Sequence, residues 1–272
     1  MINDLLKQNP LLIAALHMPT REVLQGQLTI AWLEDYVAAN LQVFAKGGIR
    51  AVKLQDEFLT LQPALPEVVA LMAAIGRFAR SQFPELQLGI ILEAHDPLAM
   101  LAVANACGAS FVRIKVYAGA MVKAQGVLHG RGAEALAFRQ QLGAPQIALL
   151  ADVHDRTGYS LAKEPIEFAA GQAQKSGADA LILTGHSLAE TRAHVKSVRN
   201  EGVTLPLIVG GGANLENIAD ILSFADGVVV SSTLKKEGVS ETDIVQWDLE
   251  KVQRFVDAAQ TRTAIPNVER SS

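Results

Sequence analysis

Residues 207–238 read LIVGGGANLENIADILSFADGVVVSSTLKKEG. An apolar run ends in three glycines, a helical stretch follows, and a second apolar run ends in Ser-Ser-Thr. This is the pattern of strand, helix and strand, with small residues closing each strand. Working outward, the same rhythm fills the chain. The strands it predicts are LLIAAL from Leu11, AVKL from Ala51, LGIILEA from Leu88, SFVRIKV from Ser110, IALLADV from Ile147, DALILTG from Asp179, LPLIVG from Leu205 and GVVVSS from Gly227. Between them lie helical stretches such as IAWLEDYVAANLQVFAKGG, ALPEVVALMAAIGRFARSQF and EPIEFAAGQAQKSGA.

Strict alternation with right-handed crossovers builds a parallel sheet, and eight such units in about 250 residues is the size at which the sheet closes. The fold class predicted is α/β, a (β/α)8 TIM barrel, with residues 1–262 as a single domain and 263–272 as a loose tail. An open doubly wound sheet is the runner-up. It usually carries a glycine fingerprint after its first strand, where this chain reads ALHMP.

Composition narrows the function. Half of the residues are hydrophobic and 19% are charged, enough to bury a sizeable core. A net charge of −4 carries no basic surplus to select nucleic acid or an anionic membrane, so neither is expected as a partner. The opening MINDLLKQNP lacks the basic start and apolar core of a signal peptide, and no apolar run approaches the ~20 residues of a membrane helix. The expected compartment is the cytoplasm. The single cysteine, Cys107, sits in the apolar stretch MLAVANACGA and reads as a buried structural thiol.

In the predicted barrel the quoted stretch holds strands seven and eight, whose following loops commonly bind phosphate through glycine-freed N–H groups and a short helix N-terminus. The phosphate-binding candidates are therefore Gly210, Gly211, Gly212, Ser231, Ser232 and Thr233. The bland alternative is a tight turn followed by a capped helix.

Charge inside strands is the second signal, because barrel interiors are usually filled by branched aliphatics. Alternation puts Lys53 with Gln55, Glu93 with His95, Arg113 with Lys115, and Asp152 with His154 on shared faces, and His17 follows the first strand. All lie toward the C-terminal strand ends, where barrel enzymes assemble their sites. Asp152 and Glu93 are the expected proton-transfer pair. Lys115 is a candidate acid, electrostatic clamp or imine-forming nucleophile. His17 and His154 assist as catalytic candidates, while Arg113 and Lys53 join the binding set. The structural alternative is that Lys53 with Glu93, or Arg113 with Asp152, form interior ion pairs that only hold the mouth together. No HxH, HExxH or cysteine ligand spacing occurs, so no metal site is assigned and no cofactor is firmly implied. A divalent metal stays open through His17, His95, Asp152, His154 and His186.

The segments GASFVRIKVYAGAMVKAQGVLHGRGAEALAFRQQLGA, LLADVH followed by SLAKEPIEFAAGQAQKSGADALILTG, and the quoted stretch itself resemble the BtpA family, also called BtpA/SgcQ-like proteins. The resemblance runs from about Leu12 to Val256. It implies a barrel of the ribulose-phosphate-binding type, variously described as a nucleosidase, as a sugar-phosphate enzyme or, in cyanobacteria, as a photosystem I biogenesis factor. Two stretches depart from the family pattern: HMPTREVLQGQ stands in place of HLPPLPGSP, and EAHDP in place of NVLRND.

The reading is an enzyme of carbohydrate or nucleoside metabolism. It acts by acid–base chemistry on a small phosphorylated sugar or sugar-containing substrate, as an isomerase, aldolase or nucleosidase. A non-catalytic assembly factor and a phosphosugar-binding sensor are the alternatives. A homo-oligomer is left open, since barrel helices often pair.

Overall fold

The computed structural model describes residues 4–20, 24, 26, 29–57, 63–124, 126–154, 156–162 and 164–261. Along the chain run β1 (Leu11–His17), α1 (Ile30–Lys46), β2 (Ala51–Gln55), α2 (Pro66–Gln82), β3 (Gln87–Ile91), α3 (Pro97–Cys107) and β4 (Phe111–Ile114). Next come β5 (Ala120–Lys123), β6 (Gly126–His129), α4 (Gly132–Gln141), β7 (Ala148–Val153), β8 (Tyr159–Ser160), α5 (Ile166–Lys175) and β9 (Ala180–Leu183). The chain continues with α6 (Leu188–Asn200), β10 (Leu207–Val209), α7 (Ile218–Ile221), β11 (Gly227–Val230) and α8 (Leu249–Gln260).

Eight of these strands, one from each predicted apolar run, form a closed parallel barrel in the order β1-β2-β3-β4-β7-β9-β10-β11. The seam is the parallel pairing of β1 with β11, from Leu11 opposite Gly227 to Ala14 opposite Val230. That pairing leaves no open edge, which rules out the doubly wound sheet. The predicted tail, 263–272, lies outside the described residues. No helix among those described is long and apolar enough to cross a membrane.

Local chemistry sets the helix starts. Thr29, Asp96, Ser187 and Asp248 each accept a hydrogen bond from a first-turn N–H of α1, α3, α6 and α8. These bonds satisfy donors that have no partner inside the helix. Strand alternation then divides the core into two shells. Leu12, Ala14 and Leu16 of β1 and Val52 and Leu54 of β2 pack beneath the helices. Leu11, Ile13, Ala51, Phe111, Leu150, Ile182, Ile208 and Val229 fill the barrel, with Leu5, from the short 3-10 helix Asp4–Lys7, in the same cluster. Cys107 is buried in the outer shell, and burial raises its thiol pKa against the opposing backbone hydrogen bonds.

The chain also forms a second sheet that periodicity did not predict. Strands β6, β5 and β8 pair antiparallel outside the barrel, built from the segments that follow β4 and β7. These strands have only two to four residues, too short for an alternation signal to stand out.

The barrel interior is tightly packed at Gly89, which stands opposite Phe111 in the β3–β4 register. A Cβ there would sit 2.1 Å from the Phe111 ring. Gly89→Ala is therefore expected to cost ~1–3 kcal/mol by overpacking, read as a lower urea midpoint at unchanged slope. Adding Phe111→Leu should recover part of that loss. A neutral Gly89→Ala would show that the ring has room to move.

Candidate functional site

At the C-terminal end of the strands lies a cavity of about 430 Å³. Its walls include His17, Lys53, Arg113, Lys115, Gly210, Gly211, Gly212, Ser231, Ser232 and Thr233. Ten of the thirteen site residues predicted from sequence thus meet around one space. The exceptions are Glu93, Asp152 and His154, which do not line it.

The two small-residue loops sit side by side because β10 and β11 are adjacent, Ile208 opposite Gly227. Gly210 is forced small, since a Cβ would lie 2.2 Å from Thr184 Oγ1. Its N–H, however, is bonded to the Leu183 carbonyl at 3.1 Å, so Gly210 shapes the loop and is not the anion donor expected of it. Gly212 has a φ of 80°, a left-handed conformation that glycine adopts without strain. The N–H groups of Gly211, Gly212, Ser232 and Thr233 have no hydrogen-bond partner among the described residues, and all four residues line the cavity. Thr233 Oγ1 donates to the Ala213 carbonyl at 2.9 Å and ties the loops together, while Ser231 Oγ donates to the Ala15 carbonyl at 3.3 Å. These two hydroxyls therefore serve the scaffold.

Sequence reasoning missed Arg156. It arrives from the segment between β7 and β8, lines the cavity, and places a guanidinium nitrogen 3.5 Å from where a Gly211 Cβ would stand. Thr157 and Thr184 were missed as well. Because Arg156 lies outside any strand, only its charge next to LLADVH could have pointed to it.

Deeper in the barrel the charges are paired. Arg113 donates to both Asp152 oxygens, Nε at 2.9 and 3.2 Å and a terminal nitrogen at 3.0 Å. Lys115 Nζ reaches both Glu93 oxygens, at 2.7 and 2.6 Å. The expectation of Asp152 and Glu93 as a proton-transfer pair facing substrate is corrected here. Each carboxylate sits behind a cavity-lining cation and holds it in place. The partner predicted for Glu93 also changes: it binds Lys115, whereas Lys53 Nζ donates to Gln55 Oε1. Gln55 Nε2 in turn donates to Glu93 Oε1 at 2.7 Å.

Lys53 is only 4% exposed. Burial, then the charges of Arg113 and Lys115, push its ammonium well below the usual lysine range, against the opposing pull of Glu93 and Asp152.

The histidines separate into different surroundings. His17 lines the cavity, and its Nδ1–H donates to Glu57, a carboxylate the sequence reading passed over. Burial raises the Glu57 carboxyl, but the hydrogen bond and charge of His17, with Lys53 and Lys115, outweigh it and leave the pKa below the usual glutamate value. His154, with φ at 54°, turns away from the cavity. Burial lowers its pKa, with Glu164 opposing and His194 reinforcing. His95 is buried, and its Nε2 donates to the His129 carbonyl at 3.0 Å, holding the β5–β6 hairpin against the end of β3. His186 precedes α6, where its N–H donates to Glu190 at 2.6 Å. Among the described residues no three His, Cys, Asp or Glu side chains gather as a metal site.

The comparisons with known proteins agree with this architecture. The photosystem I biogenesis protein BtpA of Synechocystis sp. is 28% identical over 258 residues, which span 92% of this chain and 88% of that protein. The sgc region protein SgcQ of Escherichia coli is 28% identical over 246 residues, 88% of this chain and 89% of that one. Among solved structures, the tryptophan synthase alpha chain from Legionella pneumophila superposes with a TM-score of 0.60 at 14% identity, covering 95% of this chain and 94% of that chain, a likeness of fold. The sequence model described as the BtpA family matches residues 8–261, and the chain belongs to that family.

Proposed function

We propose that this chain is an enzyme acting on a small phosphorylated sugar or sugar-containing substrate. The observation that carries the reading is the joining, in one cavity, of four backbone N–H groups that have no partner among the described residues with the cations of Arg113, Lys115 and Arg156. Backbone donors at a loop and a helix start suit a phosphate, and a guanidinium beside them adds a charge-assisted contact. The rest of the substrate then lies over the strand ends. Arg113 and Lys115, aligned by Asp152 and Glu93, face developing negative charge. His17, aligned by Glu57, moves a proton, because a carboxylate on Nδ1 leaves Nε2 as the acceptor. Isomerisation, aldol cleavage and N-glycosidic hydrolysis all develop negative charge, on an enolate oxygen or on a departing base.

A second reading, a binding role in assembly, draws support from the outer sheet. Val127, Val122 and Tyr159 are partners in register across β6, β5 and β8, and they are 49, 38 and 80% exposed. A row of this kind is the sort of apolar surface that partners cover.

A thermal-shift panel of sugar phosphates, nucleotides and inorganic phosphate tests the first reading. A ligand at a hundredfold its dissociation constant adds ~2.7 kcal/mol of apparent stability. Gly211→Asp should abolish the shift while leaving the fold intact, since its carboxylate would reach Arg156 and occupy the anion site. Arg156→Met should weaken binding about ten- to a hundredfold, the usual loss for a charge-assisted hydrogen bond. A shift that survives both substitutions would refute the assigned phosphate position.

For any panel compound that is turned over, His17→Gln should lower kcat ~10²–10⁴-fold with affinity little changed. Equal losses in kcat/KM and affinity, with kcat intact, would instead make His17 a binding group.

A further inference from the structure

We propose that Lys53 is the nucleophile of this cavity, forming an imine with the carbonyl carbon of a phosphorylated ketose or aldose. The proposal deepens the sugar-phosphate reading and rests on it. The distinguishing observation is a difference among the three cations that the barrel strands direct into the cavity. Arg113 is gripped by Asp152 through three contacts and Lys115 by Glu93 through two. Lys53 has no carboxylate within salt-bridge distance among the described residues, and its partner is the neutral carbonyl of Gln55.

That partner is fixed. Gln55 spends its amide N–H on Glu93, so its oxygen is the end that faces Lys53. One amine N–H is thereby held, which aims the nitrogen without neutralising a charge. Space is also provided. In register, Lys53 lies opposite Ala15 on β1, a residue with almost no side chain, while on its β3 side the place of a side chain at Gly89 is taken by the Phe111 ring. Ala15 shares the cavity wall with Lys53, and β1, which carries it, pairs with β11, whose following loop also lines the cavity.

A lysine amine attacks a carbonyl only when it carries a lone pair, and desolvation beside other cations is a known way to provide it. The groups facing Lys53 are His17 from β1, Gln55 and Glu57 from β2 and its end, Glu93 after β3, Arg113 and Lys115 from β4, and Asp152 from β7. Burial and the two β4 cations dominate and depress its pKa.

The Nζ lone pair forms a bond to the carbonyl carbon while the carbonyl π pair moves to oxygen, which takes a proton to give the carbinolamine. That hydroxyl leaves as water after a second protonation, and one amine proton returns to solvent through the step. Overall, one carbonyl, one neutral amine and one proton give an iminium and one water. Lys115 is placed to hand over protons, with Glu93 bound to it and solvent to replenish it. This assignment moves the imine role, left open for Lys115 in the sequence, to Lys53.

The test is reductive trapping. The full chain is incubated at neutral pH with cyanoborohydride and dihydroxyacetone phosphate, glyceraldehyde 3-phosphate or ribose 5-phosphate, and the modified lysine is located by peptide mass spectrometry. The expected result is a secondary amine at Lys53 formed ahead of the exposed lysines, slowed by saturating inorganic phosphate and lost in Lys53→Met. If inorganic phosphate stabilises the protein but no probe labels Lys53, the imine is overturned and the phosphate reading stands. If neither occurs, both fall.

Stability against pH provides the second readout. The unfolded chain keeps the Lys53 proton up to about pH 10.4, whereas the native chain releases it at lower pH. Between the two values the unfolded state binds more protons, so wild-type stability rises with pH. Lys53→Met lacks this linkage. Its advantage in urea midpoint over wild type should be largest near neutral pH and shrink toward about pH 10. An advantage that stays constant would show a normally protonated Lys53 and overturn the proposal.

Discussion

Closing the barrel forces every second strand residue into an interior that water scarcely reaches, and the upper part of this interior is charged. Three cations, Lys53, Arg113 and Lys115, share it with two carboxylates, Asp152 and Glu93. Ionised groups in such a place must be paired or lose their charge. The arrangement does both: two cations are paired and the third is pressed toward neutrality. The excess of positive character in the cavity follows from that imbalance, and so does the nucleophile proposed for it.

The apolar lower half makes the charged upper half tenable. Leu11, Ile13, Phe111, Leu150 and Ile208 fill the barrel, joined by Leu5, so the polar layer rests on a rigid, dry floor. Phe111 leaning over Gly89 shows how little slack that floor has. Side chains mounted above it keep their geometry, which is what preorganised electrostatics requires.

Two additions complete the mouth. The β10 and β11 loops bring backbone donors, and the segment between β7 and β8 brings Arg156. The outer sheet joins that segment to the β5–β6 hairpin, itself anchored by His95 to the end of β3.

The sequence by itself determined the barrel, because eight apolar runs with helical spacers are a local, periodic signal that backbone hydrogen bonding and burial translate directly into strands and helices. It also determined which strand ends carry small residues and which carry charge, since alternation is a local rule. Only the tertiary structure decided who pairs with whom. Glu93 takes Lys115 rather than Lys53, Asp152 retires behind Arg113, His154 turns away on a positive φ, and Glu57 and Arg156 enter from loops. Such choices depend on distances between residues far apart in the chain and on the loss of water around them, and neither quantity has a local signature in the sequence.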